Sequence, residues 1–250
     1  MCFSVAILRD GVLITAEQYQ ASLPEKRKKK EKPVIPEFPD MFMAYGFDNP
    51  SLPILTDEGL ELYKWGLIPS WAPDNNFAKE IRNKTLNAKA ETLFELPSFR
   101  NNIISHRCIL PVYGFFENRD LNSVKYPYFI EPVAGSNFYI GAISDSWRNQ
   151  ANEIVKTFSI ITTEANPLME MIHNTKKRMP LIIDSKDVQS WLDPGMKIKE
   201  HIATFLRPYE EKMMKAHTIS RFAINPANER NTPEIFKEIY YPELTQQSLF

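Results

Sequence analysis

Nine short apolar runs constrain the fold of this chain more than any other feature of its sequence. They are rich in β-branched and aromatic residues and are bounded by Pro, Gly, Asn or Asp, a pattern typical of β-strands. The runs are residues 2–8, 41–47, 60–68, 107–117, 126–132, 137–144, 156–163, 179–184 and 216–224. They extend over the whole chain, so we expect one domain over residues 1–250.

Helical patterns are fewer and fall at residues 88–99, 166–174, 185–193 and 196–208, with another beginning near Thr15. The pattern at 166–174 opens with Asn and Pro, a common helix start. Because helices and strands do not alternate regularly, the sequence predicts an α+β fold of mainly antiparallel strands with peripheral helices.

The charge balance and the cysteine content indicate which partners and which compartment to expect. Lys and Arg total 30 and Asp and Glu 31, so global charge predicts no polyanionic partner, although a local basic groove is compatible with it. The charged run KRKKKEK at 26–32 is read either as a solvated helix end or as a phosphate-contacting patch. Two cysteines and no long apolar stretch predict a soluble protein with free thiols in a reducing, cytoplasmic compartment.

Common catalytic motifs do not occur in the sequence. It contains no Gly-rich phosphate loop, no CxxC pair, no HExxH and no GxSxG. We therefore expect neither a cofactor nor a metal.

The most unusual residue is Cys2, which directly follows the initiator methionine. One interpretation is a small apolar residue leading an edge strand, since free Cys often behaves as a hydrophobe. The other is chemical: loss of Met1 would give an N-terminus with an amine and a thiol on adjacent carbons.

Three further polar residues interrupt apolar or tightly specified segments. Asn87 opens NAKAET, Glu117 ends the run RCILPVYGFFE, and His173 precedes the apolar run MPLII. Each also has a structural interpretation: Asn87 as a helix cap, Glu117 as a partner of Arg119, and His173 as a helix C-terminal cap.

Taken together, the segments resemble a known family. The ordered set comprises MC at the start, WGLIPSW (65–71), NAKAET (87–92), RCILPVYGFFEN (107–118) and IHNTKKRMPLII (172–183). This set resembles the SRAP family of abasic-site processing proteins, from residue 2 to about residue 230. The resemblance implies a barrel-like core, a basic groove for single-stranded DNA, and a covalent crosslink to abasic sites through the N-terminal cysteine.

The resemblance also implies roles for individual residues. Cys2 would form a thiazolidine with the abasic sugar, and Asn87 would orient the amine or the sugar. Glu117 would act as general acid and base, with a pKa raised by its aromatic neighbours. His173 would protonate the sugar ring oxygen, and Arg178 would hold a phosphate.

DNA contacts are expected from side chains near these motifs, namely Lys84, Lys89, Arg178 and Trp71. The chain departs from the family twice: many members begin MCGR where this chain has Phe3 and Ser4, and many have Arg where it has Lys89. The partner implied is single-stranded DNA with abasic sites, bound by a monomer. Removal of Met1 by self-processing peptidase activity and a lyase-type activity are further expectations.

The sequence is also compatible with two other functions. An N-terminal-nucleophile amidohydrolase would use Cys2 on an amide and would need an oxyanion hole. A non-catalytic single-strand binding module would treat intact and abasic DNA alike.

Overall fold

The computed structural model describes residues 2–7, 38–134, 137–225 and 227–245 of the 250-residue chain. Thirteen strands lie in these ranges: β1 Ser4–Ile7, β2 Met41–Tyr45, β3 Ser51–Leu55, β4 Leu60–Trp65, β5 Asn87–Lys89, β6 Arg107–Val112, β7 Gly114–Leu121, β8 Val124–Pro132, β9 Phe138–Arg148, β10 Ile154–Glu164, β11 Arg178–Pro180, β12 Ile182–Ile183 and β13 Met214–Thr218.

The described helices are short. The α-helices are α1 Asn75–Arg82, α2 Asn102–Ser105, α3 Pro167–Ile172, α4 Val188–Leu192, α5 Lys199–Ala203 and α6 Pro242–Thr245. Single 3₁₀ turns are found at Gly46–Asp48, Ala90–Thr92, Ser185–Asp187, Glu211–Met213, Arg221–Ile224 and Pro233–Phe236.

The strands form two sheets. One is antiparallel with the order β13-β8-β7-β1-β2. The other runs β11-β10-β4-β3-β6-β9-β12, and an additional β9–β10 pairing closes β10, β4, β3, β6 and β9 into a barrel. Only β4 and β5 lie parallel to β10 among the pairings of the described strands. The predicted α+β fold with a mainly antiparallel, barrel-like core is therefore confirmed.

The main core fills the space between the sheets. Val5 and Phe115 from the first sheet and Phe158 from the second are all fully buried in one cluster. Trp65 joins them, as expected of an apolar strand end, and its indole N–H donates to the Leu86 carbonyl at 2.8 Å. Burial of these large side chains supplies most of the driving force that holds the two sheets together.

The run at 107–117 was predicted as one strand and is two. Strand β6 belongs to the barrel sheet and β7 to the first sheet, with the change of sheet at Tyr113. Gly114 permits the crossing, because a Cβ there would lie 2.4 Å from Phe129 Cζ and 2.5 Å from the Ile130 carbonyl oxygen. This close approach depends on residues distant in sequence, so the apolar pattern does not reveal it.

The helix predicted at 88–99 is also wrong. Asn87–Lys89 forms β5, which pairs in parallel with β10 through Ile160, and one 3₁₀ turn follows at Ala90–Thr92. The helix-cap interpretation of Asn87 fails with it. The neighbouring strand provides the backbone hydrogen bonds that a local helix would otherwise supply.

Other boundaries shift in smaller ways. The run at 179–184 breaks at Leu181, whose N–H donates to the Ile161 carbonyl at 2.8 Å. The run at 216–224 ends as a strand at Thr218. The sequence did not predict β3, α1 or α2. The helix expected near Thr15 and the charged run at 26–32 lie outside the described residues.

Candidate active site

Cys2 lies just before the start of β1, which is an inner strand of the first sheet. Strand β1 is flanked by β2 and β7, and the Cys2 residue is only 1% exposed. Its Sγ lies 3.7 Å from the Ser4 carbonyl oxygen. Burial, and secondarily the charge of Glu117, raises the pKa of the thiol to about 12. The thiol is therefore protonated at neutral pH.

Glu117 lies on β7, next to β1. Ser4 pairs with Phe116, which places the residues just before β1 alongside Glu117. Burial raises the pKa of this carboxyl to about 7, against the hydrogen bond that the Asn118 N–H donates to Oε1 at 2.9 Å. Burial thus raises the pKa of Glu117 in the direction expected from the sequence, and both protonation states are accessible near neutral pH.

His173 reaches the same place from another element. Helix α3 begins at Asn166, whose side chain accepts from the Met169 N–H, and it ends at His173. His173 Nδ1 lies 2.9 Å from the Arg178 carbonyl oxygen and 3.5 Å from Glu117 Oε2. A carbonyl can only accept, so Nδ1 carries the proton and Nε2 is the lone-pair nitrogen. Burial lowers the pKa of the ring to about 4, so His173 is neutral.

Asn87 has an unsatisfied side chain. Its amide oxygen and nitrogen are both buried and have no hydrogen-bond partner among the described residues. Leaving two buried polar atoms unpaired costs on the order of 1–3 kcal/mol each, so such a side chain is tolerated where a ligand completes it.

Arg178 has protein partners. Its guanidinium binds both carboxylate oxygens of Glu91 and donates to the Thr162 carbonyl at 2.7 Å. Its side chain is only 13% exposed. The phosphate contact predicted for Arg178 therefore stays a prediction, while the observed contacts fasten the NAKAET segment to β10 and β11.

The other predicted DNA contacts are surface side chains. Trp71 is 51% exposed, and its ring packs on Phe77 at 5.5 Å between centroids. Lys84 and Lys89 are exposed, on the turn after α1 and on β5. The structure brings Cys2, Glu117 and His173 together, and it gives no contact that joins these three surface residues to them.

Three further residues of the site were not predicted from the sequence. Lys176 and Lys125 lie close enough to Glu117 to lower its pKa, and Glu91 holds Arg178. Lys176 lies in the IHNTKKRMPLII motif and Glu91 in the NAKAET motif. A charged side chain in an exposed-looking segment carries no signal of a partner that is distant in sequence. No group of His, Cys, Asp or Glu in the described ranges could hold a metal ion. None of the helices described there is long and apolar enough to cross a membrane.

Comparison with known proteins decides the family. The family model described as SOS response associated peptidase (SRAP) matches residues 9–226. The chain belongs to the SRAP family. Among SRAP relatives, abasic site processing protein YoqW of Bacillus subtilis (strain 168) is 34% identical over 211 residues, which cover 79% of this chain and 90% of YoqW. Abasic site processing protein HMCES of Xenopus tropicalis is 28% identical over 200 residues, covering 72% of this chain and 57% of that protein.

A solved structure shares the SRAP fold of this chain. A protein from Bacteroides thetaiotaomicron superposes with a TM-score of 0.82 at 33% identity, covering 96% of this chain and 100% of that one. The overall strand arrangement of this chain is thus shared with a crystal structure.

Proposed function

We propose that this chain binds single-stranded DNA containing abasic sites and crosslinks to them covalently through Cys2, once Met1 has been removed. One observation carries the proposal: Cys2 is buried beside a glutamate whose pKa is about 7 and which lies 3.5 Å from a neutral histidine. The names of the SRAP relatives support the substrate class.

The first step joins the α-amine of Cys2 to the sugar. An abasic deoxyribose equilibrates with a ring-opened aldehyde, and an α-amine has a pKa of about 7.7–8.0, far below that of Lys. The amine lone pair attacks the aldehyde carbon to give a carbinolamine. That species loses its hydroxyl group as water, with a proton from an acid, and leaves an imine.

The second step closes a ring. Cys2 Sγ attacks the imine carbon, an S–C bond forms, the C=N double bond becomes single, and the thiol proton is replaced by a proton on the ring nitrogen. The sum is one thiazolidine and one water, with no redox change. Since the thiol pKa is about 12, its proton must leave as the S–C bond forms. Holding the sulfur next to the imine gives the closure a high effective molarity.

The protonation states of Glu117 and His173 support different roles for the two groups. Glu117 supplies the proton that converts the departing hydroxyl to water, because its pKa keeps a protonated fraction at neutral pH. His173 was expected from the sequence to donate a proton to the ring oxygen. Its lowered pKa and its Nδ1–H bond to Arg178 favour the opposite role, acceptance of a proton at Nε2 during ring opening and ring closure.

Two further residues position these groups. The unsatisfied Asn87 amide would hydrogen-bond the Cys2 amine or a sugar hydroxyl. Arg178 would act through His173, whose ring it fixes by its carbonyl, and through Glu91, which it holds in the NAKAET segment.

Removal of Met1 is required by this chemistry. Self-processing at the Met1–Cys2 bond by the same groups would constitute the peptidase activity, and a housekeeping aminopeptidase would give the same product. A lyase-type activity would follow from the imine whenever ring closure fails, since an imine permits β-elimination at the adjacent phosphate.

The chain offers a matched pair of variants for the test. Cys2 and Cys108 are both buried free thiols. Wild type and Cys108→Ala should each give an adduct with abasic single-stranded DNA that survives a denaturing gel. Cys2→Ala should give an adduct only when borohydride traps the imine. A heat-stable adduct from Cys2→Ala without borohydride would rule out the thiazolidine. Turnover of small amides in the absence of DNA would instead favour the amidohydrolase.

A further inference from the structure

A partly exposed cluster of three aromatic rings includes Phe3, the residue that follows Cys2. Phe47 and Phe3 have ring centroids 5.0 Å apart, and Phe47 and Tyr45 have centroids 5.4 Å apart. Phe47 is 42% exposed although it lies against two other rings. Phe47 is therefore the most exposed ring of the three and the one that a planar ligand reaches from solvent.

Hydrogen bonds define the turn that carries Phe47. The Gly46 N–H donates to the Phe3 carbonyl at 2.8 Å, which fastens the 46–49 turn to the residue after Cys2. Asn49 closes the turn in the left-handed region at a φ of 49° and donates to the carbonyls of Gly46 and Trp65. A preformed aromatic surface binds a planar group without first ordering its own side chains.

Cations and the reaction site adjoin this cluster. The Arg230 guanidinium lies 4.9 Å from the Tyr45 ring centroid. A cavity of about 220 Å³ has Phe3, Tyr45, Glu117, Lys125 and Arg230 among its lining residues. A group bound in this cavity would therefore lie near Glu117 and near both cations.

We infer that Phe3, Phe47 and Tyr45 form a stacking platform for the nucleobase next to the abasic sugar, with Arg230 and Lys125 facing its phosphate. The inference rests on the proposed function, because it takes the sugar to be bound at Cys2.

Stacking adds affinity that depends little on salt, unlike charge contacts. Base–aromatic stacking is worth about 1–3 kcal/mol per base, which corresponds to roughly 5- to 150-fold in affinity. Each phosphate contact adds about 0.7 to the slope of log K against log salt for single strands, whereas stacking adds little.

The test uses an unreactive lesion, so that binding is measured apart from crosslinking. Oligonucleotides carry tetrahydrofuran as the abasic analogue and 2-aminopurine on its 5′ or its 3′ side. Wild type should quench 2-aminopurine on at least one side. Phe47→Ala and Phe47→Leu should lose that quenching and bind at least 5-fold more weakly, with an unchanged salt slope. Tyr240→Ala, which removes a 71% exposed aromatic elsewhere, should behave as wild type.

The outcomes separate this inference from the proposed function. Equal quenching and equal affinity for wild type and both Phe47 variants, with unchanged melting temperatures, would overturn the platform. So would a loss of affinity that appears only as a lower salt slope. Failure of wild type to crosslink would refute the proposed function, while the quenching would still report on the platform.

Discussion

The carboxyl of Glu117 has a higher pKa than the imidazole of His173, which is the reverse of the order in free side chains. Glu117 Oε2 and His173 Nδ1 are only 3.5 Å apart. Burial raises the carboxyl pKa to about 7 and lowers the imidazole pKa to about 4. Between these values the predominant state is a protonated acid beside a neutral imidazole, not an ion pair. The site therefore offers an acid and a base at the same pH, which imine formation requires.

The rate of crosslinking should depend on pH in a bell shape. Below about pH 8 the α-amine becomes protonated and unreactive, and above about pH 7 Glu117 loses the proton it donates. Glu117→Gln should slow crosslinking on the order of 10²-fold and remove the alkaline limb, leaving the acid limb in place. Single-turnover rates from pH 5.5 to 9 check this. An alkaline limb that persists in Glu117→Gln would assign it to another group.

The raised pKa of Glu117 should also lower stability in alkali. The carboxyl titrates near 4.5 when unfolded and near 7 when folded, so between these values the folded state binds the extra proton. The stability it contributes is present below pH 4.5 and is lost as pH rises through 7, a change on the order of 3 kcal/mol. Glu117→Gln should therefore unfold at higher urea than wild type at pH 8, and the difference should shrink toward pH 5. A lower midpoint for the variant at pH 8 would contradict this.

His173 should remain a neutral Nδ1–H tautomer throughout the working pH range. Its folded pKa is lowered to about 4, so it contributes stability above about pH 6.5 that is lost as pH falls toward 4. Nitrogen chemical shifts of labelled His173 should show a protonated Nδ1 and a titration below pH 5. Titration near pH 6.5 would restore His173 as the proton donor expected from the sequence.

Arg178 should act on rate rather than on DNA affinity. Since its guanidinium binds Glu91 and the Thr162 carbonyl, Arg178→Gln should leave the salt slope of DNA binding unchanged and slow crosslinking. Glu91→Gln, which loosens the same contact, should have a similar but smaller effect. A salt slope that falls by about 0.7 in Arg178→Gln would instead establish a phosphate contact.

The sequence predicted the parts of this molecule that depend on local pattern. Strand runs such as 156–163 and the Asn166 start of α3 were found because apolar spacing and cap chemistry are local properties. The segment at 88–99 was misassigned because its partner, β10, lies about seventy residues away. The run at 107–117 was predicted as one strand because the change of sheet at Gly114 depends on a close approach to Phe129, which lies outside the run.

The site was predictable only in part for the same reason. The position of Cys2, and the aromatic setting of Glu117, can be read from the chain. The protonation of His173 depends on its burial and on the Arg178 carbonyl, and the engagement of Arg178 depends on Glu91. Phe47 packs on Phe3 through a turn whose geometry no motif encodes.

The central claim is that the α-amine of Cys2 is the nucleophile, and blocking that amine tests it directly. An amide nitrogen cannot form an imine, and a thiol alone gives only a labile hemithioacetal. Two proteins are compared by intact mass spectrometry after exposure to abasic single-stranded DNA: one with a verified free Cys2 amine and one with an uncleavable extension ahead of Cys2. The free protein should gain the mass of the oligonucleotide less one water and keep it under denaturing conditions, and the blocked protein should bind DNA without gaining mass. A stable gain of the oligonucleotide mass by the blocked protein would contradict the account.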